Sequence, residues 1–417
     1  TFDGDNARHM YAWGAQWVVG SLELPYLKTE SGSTTTTNIW KSVTEHTSGN
    51  VGNLIFNNEV SVGVKKITLG SLSSQGDFYY YFTDNIVYIK STSNPGAYYT
   101  HIETADYGSI TNGHVGIIYN AKDYVTFQYL DLRYGGQAIY NWDTTGVIIE
   151  HNNISYIGGV FGQSEGAIIR GGNAIGWENN VSNSIVRYNR IDQVYDAAIS
   201  PQYTGTVVQD DIQIYYNVIS NYEYCFEFFL RDDTSSGNNI RFENNTCVNS
   251  IGSWGHSQRP EGTTGGLAHL HLGFTTASIT NLYIRNNIFY GLTDGDYYHV
   301  QVRSPWADFA NVTITNNSYY PVIGTPFYSQ VLGSEYNFAD WQIATGKDAN
   351  SIAIDSLFIS ASDFHLQPAS PAINAGVDVG LTVDYVGNPK SGTAWDIGAY
   401  EFQQEKGGLA PGMGMAP

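Results

Sequence analysis

Apolar and polar residues alternate along most of this chain in short runs, such as VIIEHN (147–152) and LYIRNN (282–287), bounded by Gly, Asn and Asp. A period of two over four to six residues predicts short strands that turn one face to a core, and helical periodicity is nearly absent. The runs recur with a fixed grammar: an apolar residue stands three positions ahead of an asparagine. The pairs are Ile149/Asn152, Val186/Asn189, Ile214/Asn217, Phe242/Asn245, Ile284/Asn287 and Ile314/Asn317, so the asparagines are spaced by 37, 28, 28, 42 and 30 residues. A near-constant unit with occasional insertions predicts a solenoid in which each repeat touches only its neighbours. One coil of about 28 residues has room for three short strands and three turns, which is an all-β parallel β-helix.

Asparagine is a poor strand former, and the fold explains its return. Equivalent residues of successive coils stack at the strand spacing of about 4.8 Å, so one Asn per coil becomes a ladder of amides that donate and accept in turn. Asn also tolerates the left-handed backbone of a sharp turn. These six residues are therefore expected to be structural.

The repeats, over roughly residues 110 to 320, together with DFHLQPASPAINAG (363–376) and DIGAYEF (396–402), resemble the right-handed parallel β-helix proteins of the pectate-lyase-like superfamily. The second and third stretches are similar to a C-terminal segment common in secreted bacterial β-helix proteins. The resemblance implies an exported protein acting on polysaccharides. The superfamily includes lyases, hydrolases, epimerases and non-catalytic adhesins, so fold alone does not choose a reaction.

Four regions follow: an N-terminal β-rich cap at 1–105, a β-helix core at 106–346, a C-terminal cap segment at 347–403 and a flexible tail at 404–417. In the first, GDFYYYFTDNIVYIKS (76–91) predicts a hairpin turning at TDN. The long spacings place insertions within 153–188 and 246–286, and solenoid insertions tend to build a binding face.

Composition narrows the partners. Of 417 residues, 19 are Lys or Arg and 39 are Asp or Glu, a balance of −20 that argues against nucleic acid or an anionic membrane surface. No apolar run is long enough to span a membrane. The chain begins at Thr1 without an initiator Met, which fits a processed, extracellular protein. Cys225 and Cys247 are too few to staple the chain and are expected inside as small apolar residues.

Candidate chemistry lies on a second strand family, EGAIIR (165–170), DAAISP (196–201) and EFFLRD (227–232). Equal spacings of 31 predict Glu165, Asp196 and Glu227 in register, about 5 Å apart. Such a column suits Ca²⁺ bridging a uronate, or an acid and base flanking a glycosidic bond; the competing role is capping of turns. HLHLGF (269–274) predicts His269 and His271 outward with Leu270 and Leu272 inward, and YHVQVRS (298–304) puts His299, Gln301 and Arg303 on one face. A groove of Glu227, Arg231, His269, His271 and Arg303 resembles the catalytic face of β-helix polysaccharide lyases. The resemblance implies Arg231 or a histidine as base and Arg303 as charge stabiliser. The lysine base usual in that group has no counterpart, since no lysine occurs between Lys122 and Lys347.

His269 and His271 could also hold a transition metal with His256 or His299. Trp254 and Trp306 are candidates for stacking on sugar rings, and Gln301 for hydrogen bonding to substrate. Asp210 and Asp211 read as turn residues, while Asp232 stays in consideration beside the groove. The favoured expectation is β-elimination on a uronate-containing glycan, slightly ahead of hydrolysis. The competing one is a non-catalytic adhesin or a subunit that self-associates into an extracellular filament; an enzyme would keep the acidic and imidazole face open in a cleft, a filament would bury it.

Overall fold

The structure is a computed structural model. It describes residues 38–42, 51–81, 83–106, 116–161, 170–230, 232, 234–258, 268–273, 277–292, 297–303 and 307–403, together with the backbone of strands Gln16–Val18 and Tyr26–Lys28.

Short parallel strands stack into a three-sided parallel β-helix. One side is an eight-stranded sheet running through Asp131–Arg133, Asn153–Ile157, Arg190–Val194, Val218–Tyr222, Thr246–Ser250, Ile288–Tyr290 and Ser318–Tyr320, with Gln16–Val18 paired onto its first coil. The other two sides form one fifteen-stranded sheet, because the long strand Ile175–Arg187 belongs to both. Its first half pairs with Ala197–Tyr203 and its second with Val208–Tyr215. Period-two alternation gives each side an inward row: Ile199, Phe226, Leu270, Val300 and Phe327 on one, Val186, Ile214, Phe242, Ile284 and Ile314 on another. All ten belong to one continuous core.

The asparagines sit at the turn into the eight-stranded side and point inward. Asn152 Nδ2 donates to Asn189 Oδ1 (2.9 Å), and the same bond repeats from Asn189 to Asn217 (3.0 Å), Asn217 to Asn245 (3.0 Å), Asn245 to Asn287 (3.1 Å) and Asn287 to Asn317 (3.1 Å). Each Nδ2 also donates to a backbone carbonyl, as Asn189 does to Ile149 (2.9 Å), so the turn leaves no buried amide unanswered. The left-handed residue of the turn is the one before: His151, Tyr188, Tyr216, Asn244, Asn286 and Asn316 all have φ between 51° and 58°. In the early coils this position carries aromatic rings stacked on one another, Tyr129–His151 at 5.2 Å and His151–Tyr188 at 4.9 Å. In the late coils it is Asn, and the C-terminal segment lies across it: Asn244 donates to the carbonyls of Asp396 and Gly398, and Asn286 to Val377. The double asparagine therefore divides two jobs, one backbone and one side chain.

The N-terminal strands Val51–Phe56 and Ile102–Asp106 pair antiparallel, as do Asp77–Tyr81 and Ile86–Lys90. This region meets the flank of the solenoid through Glu59, which takes hydrogen bonds from Arg133 (2.8 Å) and Tyr134 (2.7 Å). Cys225 and Cys247 are joined as a disulfide across the interior, which corrects the expectation of separate buried thiols.

Candidate functional site

The register of the third side decides what stands beside what. Strands Ile118–Asn120, Ile139–Thr145, Ile175–Arg187, Ala197–Tyr203, Tyr224–Leu230, Ala268–Leu272, Tyr298–Val302 and Phe327–Ser329 pair in that order. Their outward residues form a column: Tyr119, Tyr140, Gly176, Ser200, Glu227, His271, Gln301 and Tyr328. Ser200 Oγ donates to Glu227 Oε2 at 2.8 Å. Tyr224 sets its ring edge against His271 at 4.7 Å, and Arg303, just past the end of the next strand, acts on the same imidazole through its charge.

His271 is only 2% exposed, and burial, reinforced by the Arg303 charge, lowers its pKa to about 3. It is a neutral imidazole at neutral pH and a weak proton acceptor. Gln301 is equally enclosed, and its Oε1 finds no hydrogen-bond donor. A buried acceptor left unpaired costs free energy unless a ligand supplies the donor.

The sequence reading missed Glu178. It lies outward on the strand two rungs before that of Glu227 and accepts hydrogen bonds from Tyr140 and Gln202. Burial raises its pKa against those two bonds. Tyr119, Tyr140 and Trp142 line the approach to it, with ring centroids 5.9 and 6.4 Å apart. The signal was present in the sequence as IGWENN (175–180), but this strand turns a corner midway and lacks the spacing that marked its neighbours.

Several expectations are corrected. Asp196 and Glu227 do not stack: strands Ala197–Tyr203 and Tyr224–Leu230 pair at an offset of 27, so Glu227 stands beside Ser200 while Asp196 is followed by Glu223. The offset of 31 counted turn residues that the ladder does not contain. Glu165 lies outside the described residues, and of the other two expected Ca²⁺ donors Asp196 and Glu227 stand four residues out of register. Among the described residues no three His, Cys, Asp or Glu side chains converge as metal ligands, His269, His271, His256 and His299 included.

His269 and His299 point into the solenoid rather than out of it. Two consecutive residues turn inward where each strand leaves the corner, Cys225 with Phe226, His269 with Leu270 and His299 with Val300, so alternation fails there by one position. His269 Nδ1 bonds the Tyr222 hydroxyl at 2.5 Å, and its ring lies parallel to that of His299 at 5.3 Å. His299 Nε2 donates to the Pro321 carbonyl at 2.9 Å. Burial drives both pKa values down, that of His299 to about 4. Trp254 is 9% exposed and packs on Tyr195 at 5.3 Å, so it is not a sugar platform. Asp232 accepts from Thr234 N at 2.8 Å as a turn residue, whereas Asp210 and Asp211, expected in a turn, lie within strand Val208–Tyr215, where Asp210 accepts from Asn238 Nδ2 of the next rung at 2.9 Å. Arg231 and Trp306 lie outside the described residues.

No family model matches the chain, and no curated protein matches it. Among solved structures it is similar to an alginate lyase from Paenibacillus sp. str. FPU-7, at 14% identity and a TM-score of 0.31, over 51% of this chain and 66% of that one. That is less than two thirds of the lyase. It is also similar to XylC in complex with xylose, at 10% identity and a TM-score of 0.37, over 94% of this chain and 88% of that one. Neither likeness transfers a residue, a substrate or a reaction to this chain.

Proposed function

We propose that the chain is an extracellular enzyme that degrades a polysaccharide, cleaving a uronate-containing glycan by β-elimination on its outward column. The observation that carries the reading is the meeting of Glu227, His271, Gln301 and Arg303 on adjacent rungs. Arg303 is the cation that pairs with a uronate carboxylate and stabilises the anion formed when the neighbouring proton leaves. Gln301 Oε1, enclosed on the same column, is an acceptor with no donor of its own, and the neutral His271 stands between it and Glu227. With a pKa of about 3, His271 does not act as the base. The disulfide supports an extracellular setting, since such bonds persist in oxidising compartments.

A second reading, hydrolysis, is favoured by Glu178 and Glu227. Burial moves Glu178 in the direction a proton donor needs, whereas the Ser200 hydroxyl donates to Glu227 as to a carboxylate. Glu178 stands two rungs away and two residues further along the strand, level with Gln202 and Phe229, so the two carboxyl groups are further apart than the rung spacing alone would place them.

The test is to incubate the full chain with acidic and neutral glycans, with and without EDTA. Elimination yields an unsaturated uronate that absorbs in the ultraviolet; hydrolysis yields reducing ends without it. Glu227→Gln is expected to abolish either product with the thermal melt unchanged. No product from any glycan would leave the adhesin or filament reading in its place.

A further inference from the structure

The corner between the eight-stranded side and the outward column holds a cluster that the chemistry above does not use. Glu223, the residue before strand Tyr224–Leu230, is fully buried. His256 Nδ1 lies 3.0 and 3.1 Å from its two carboxylate oxygens, and Ser253 Oγ donates to Oε1 at 3.3 Å. The other nitrogen of the imidazole, Nε2, meets the Tyr297 hydroxyl at 3.3 Å. Tyr297 immediately precedes strand Tyr298–Val302, so Glu223 and Tyr297 hold equivalent places two rungs apart. That separation is about 9.6 Å at the strand spacing, and the imidazole spans it.

The repeat does not supply His256; an insertion does. The loop is pinned at both ends by three hydrogen bonds. Trp254 N donates to Gln193 Oε1 (2.8 Å), Gln258 Nε2 donates to the Gly63 carbonyl (2.8 Å), and Gln258 Oε1 accepts from Lys65 N (3.1 Å). A buried carboxylate beside Nδ1 fixes the proton on that nitrogen and leaves Nε2 as acceptor for the phenol. This is the geometry in which an oriented base activates a hydroxyl. Tyr297 shares an apolar cluster with Tyr224, whose ring abuts His271, and Arg303 lies within electrostatic reach of the hydroxyl of Tyr298, the next residue.

We propose that Glu223, His256 and Tyr297 form an acid–base relay, and that the Tyr297 oxygen exchanges the proton with the glycan. The proposal rests on the elimination reading and supplies the base that His271 is too weak to be. The Tyr297 proton passes to His256 Nε2, and Glu223 balances the imidazolium. The phenolate oxygen then takes the proton from the carbon bearing the carboxyl group. The electron pair of that C–H bond becomes the C4–C5 double bond, and the C4–O bond breaks. The departing sugar oxygen takes the proton from Tyr297, which recovers its own from His256. The products are an unsaturated uronate and a free hydroxyl on the departing chain.

The experiment follows ultraviolet absorbance on uronate glycans. Tyr297→Phe is expected to slow product formation by about 100-fold or more with the thermal melt retained, and His256→Ala to slow it as much while lowering the melt, because it leaves the buried Glu223 without its imidazole. Added imidazole is expected to restore part of the His256→Ala rate, which a purely structural role would not allow. Glu223→Gln is expected to shift the acid limb of the pH–rate profile. Wild-type rates in Tyr297→Phe or His256→Ala overturn the relay and leave the elimination reading standing. Reducing ends without unsaturated product from the wild type overturn both and leave hydrolysis.

Discussion

Two corners of the same coils obey opposite rules. At the asparagine corner every coil repeats one side chain, and each amide is satisfied by its neighbours above and below. At the corner of Glu223 and Tyr297 the coils differ, an insertion enters, and a buried carboxylate finds its partner on a loop instead of on the next coil. Repetition neutralises polar groups and so yields rigidity without reactivity. A break in the repeat is where charge, imidazole and phenol can be brought together and held.

The sharpest way to break this contrast is to exchange consequences between the corners. Asn245→Leu removes three donated and two accepted hydrogen bonds inside the core. It is expected to cost about 3–5 kcal/mol in chemical denaturation, because the buried groups it leaves unpaired each lose about 1–3 kcal/mol. Arg303→Ala is expected to do the reverse: the denaturation midpoint stays, and elimination on uronate glycans falls about 100- to 1,000-fold. A large stability loss in the second variant, with activity kept, would show that the two faces do not divide the work.

A smaller effect sharpens the placement of the inner histidines. His269→Phe keeps the interior filled and leaves the Tyr222 hydroxyl without its partner, for an expected loss of about 1–2 kcal/mol. Activity is expected to stay within twofold, whereas a histidine on the outward face would take activity with it. The smallest effect is that of pH. His271 and His299 have folded pKa values of about 3 and about 4, and that of His269 is also lowered, so the unfolded chain binds protons that the folded one refuses below about 6.5. Stability conferred by these groups is present above that value and is lost as pH falls. Glu401, raised to about 7 by burial, acts the other way, and its share is lost as pH rises through 7. Between pH 7 and pH 5 the melt of His269→Phe should therefore drop less than that of the wild type, because one of the three groups that take up protons only on unfolding is gone.

Legibility followed the same division. The coils, the inward rows and the six asparagines could be read because each is repeated, and repetition survives small errors of position. Glu227, His271, Gln301 and Arg303 could be placed on one face because simple alternation holds through the middle of each strand. It fails at strand starts, where two successive residues turn inward, and this is why His269 and His299 were assigned to the wrong side. Asp196 and Glu227 do not share a rung position for a related reason: spacing in sequence counts turn residues as well as rungs. Glu223, at the same corner, was invisible without its partner, because nothing along the chain links it to His256, 33 residues away.

Sequence alone determined the architecture, because strand period and coil length are local quantities whose repetition leaves one way to stack them. Tertiary structure decided the chemistry, because a proton relay depends on which side chains lie within about 3 Å of each other. Distances of that kind are set by register and by the path of an inserted loop, and neither is encoded at any single position.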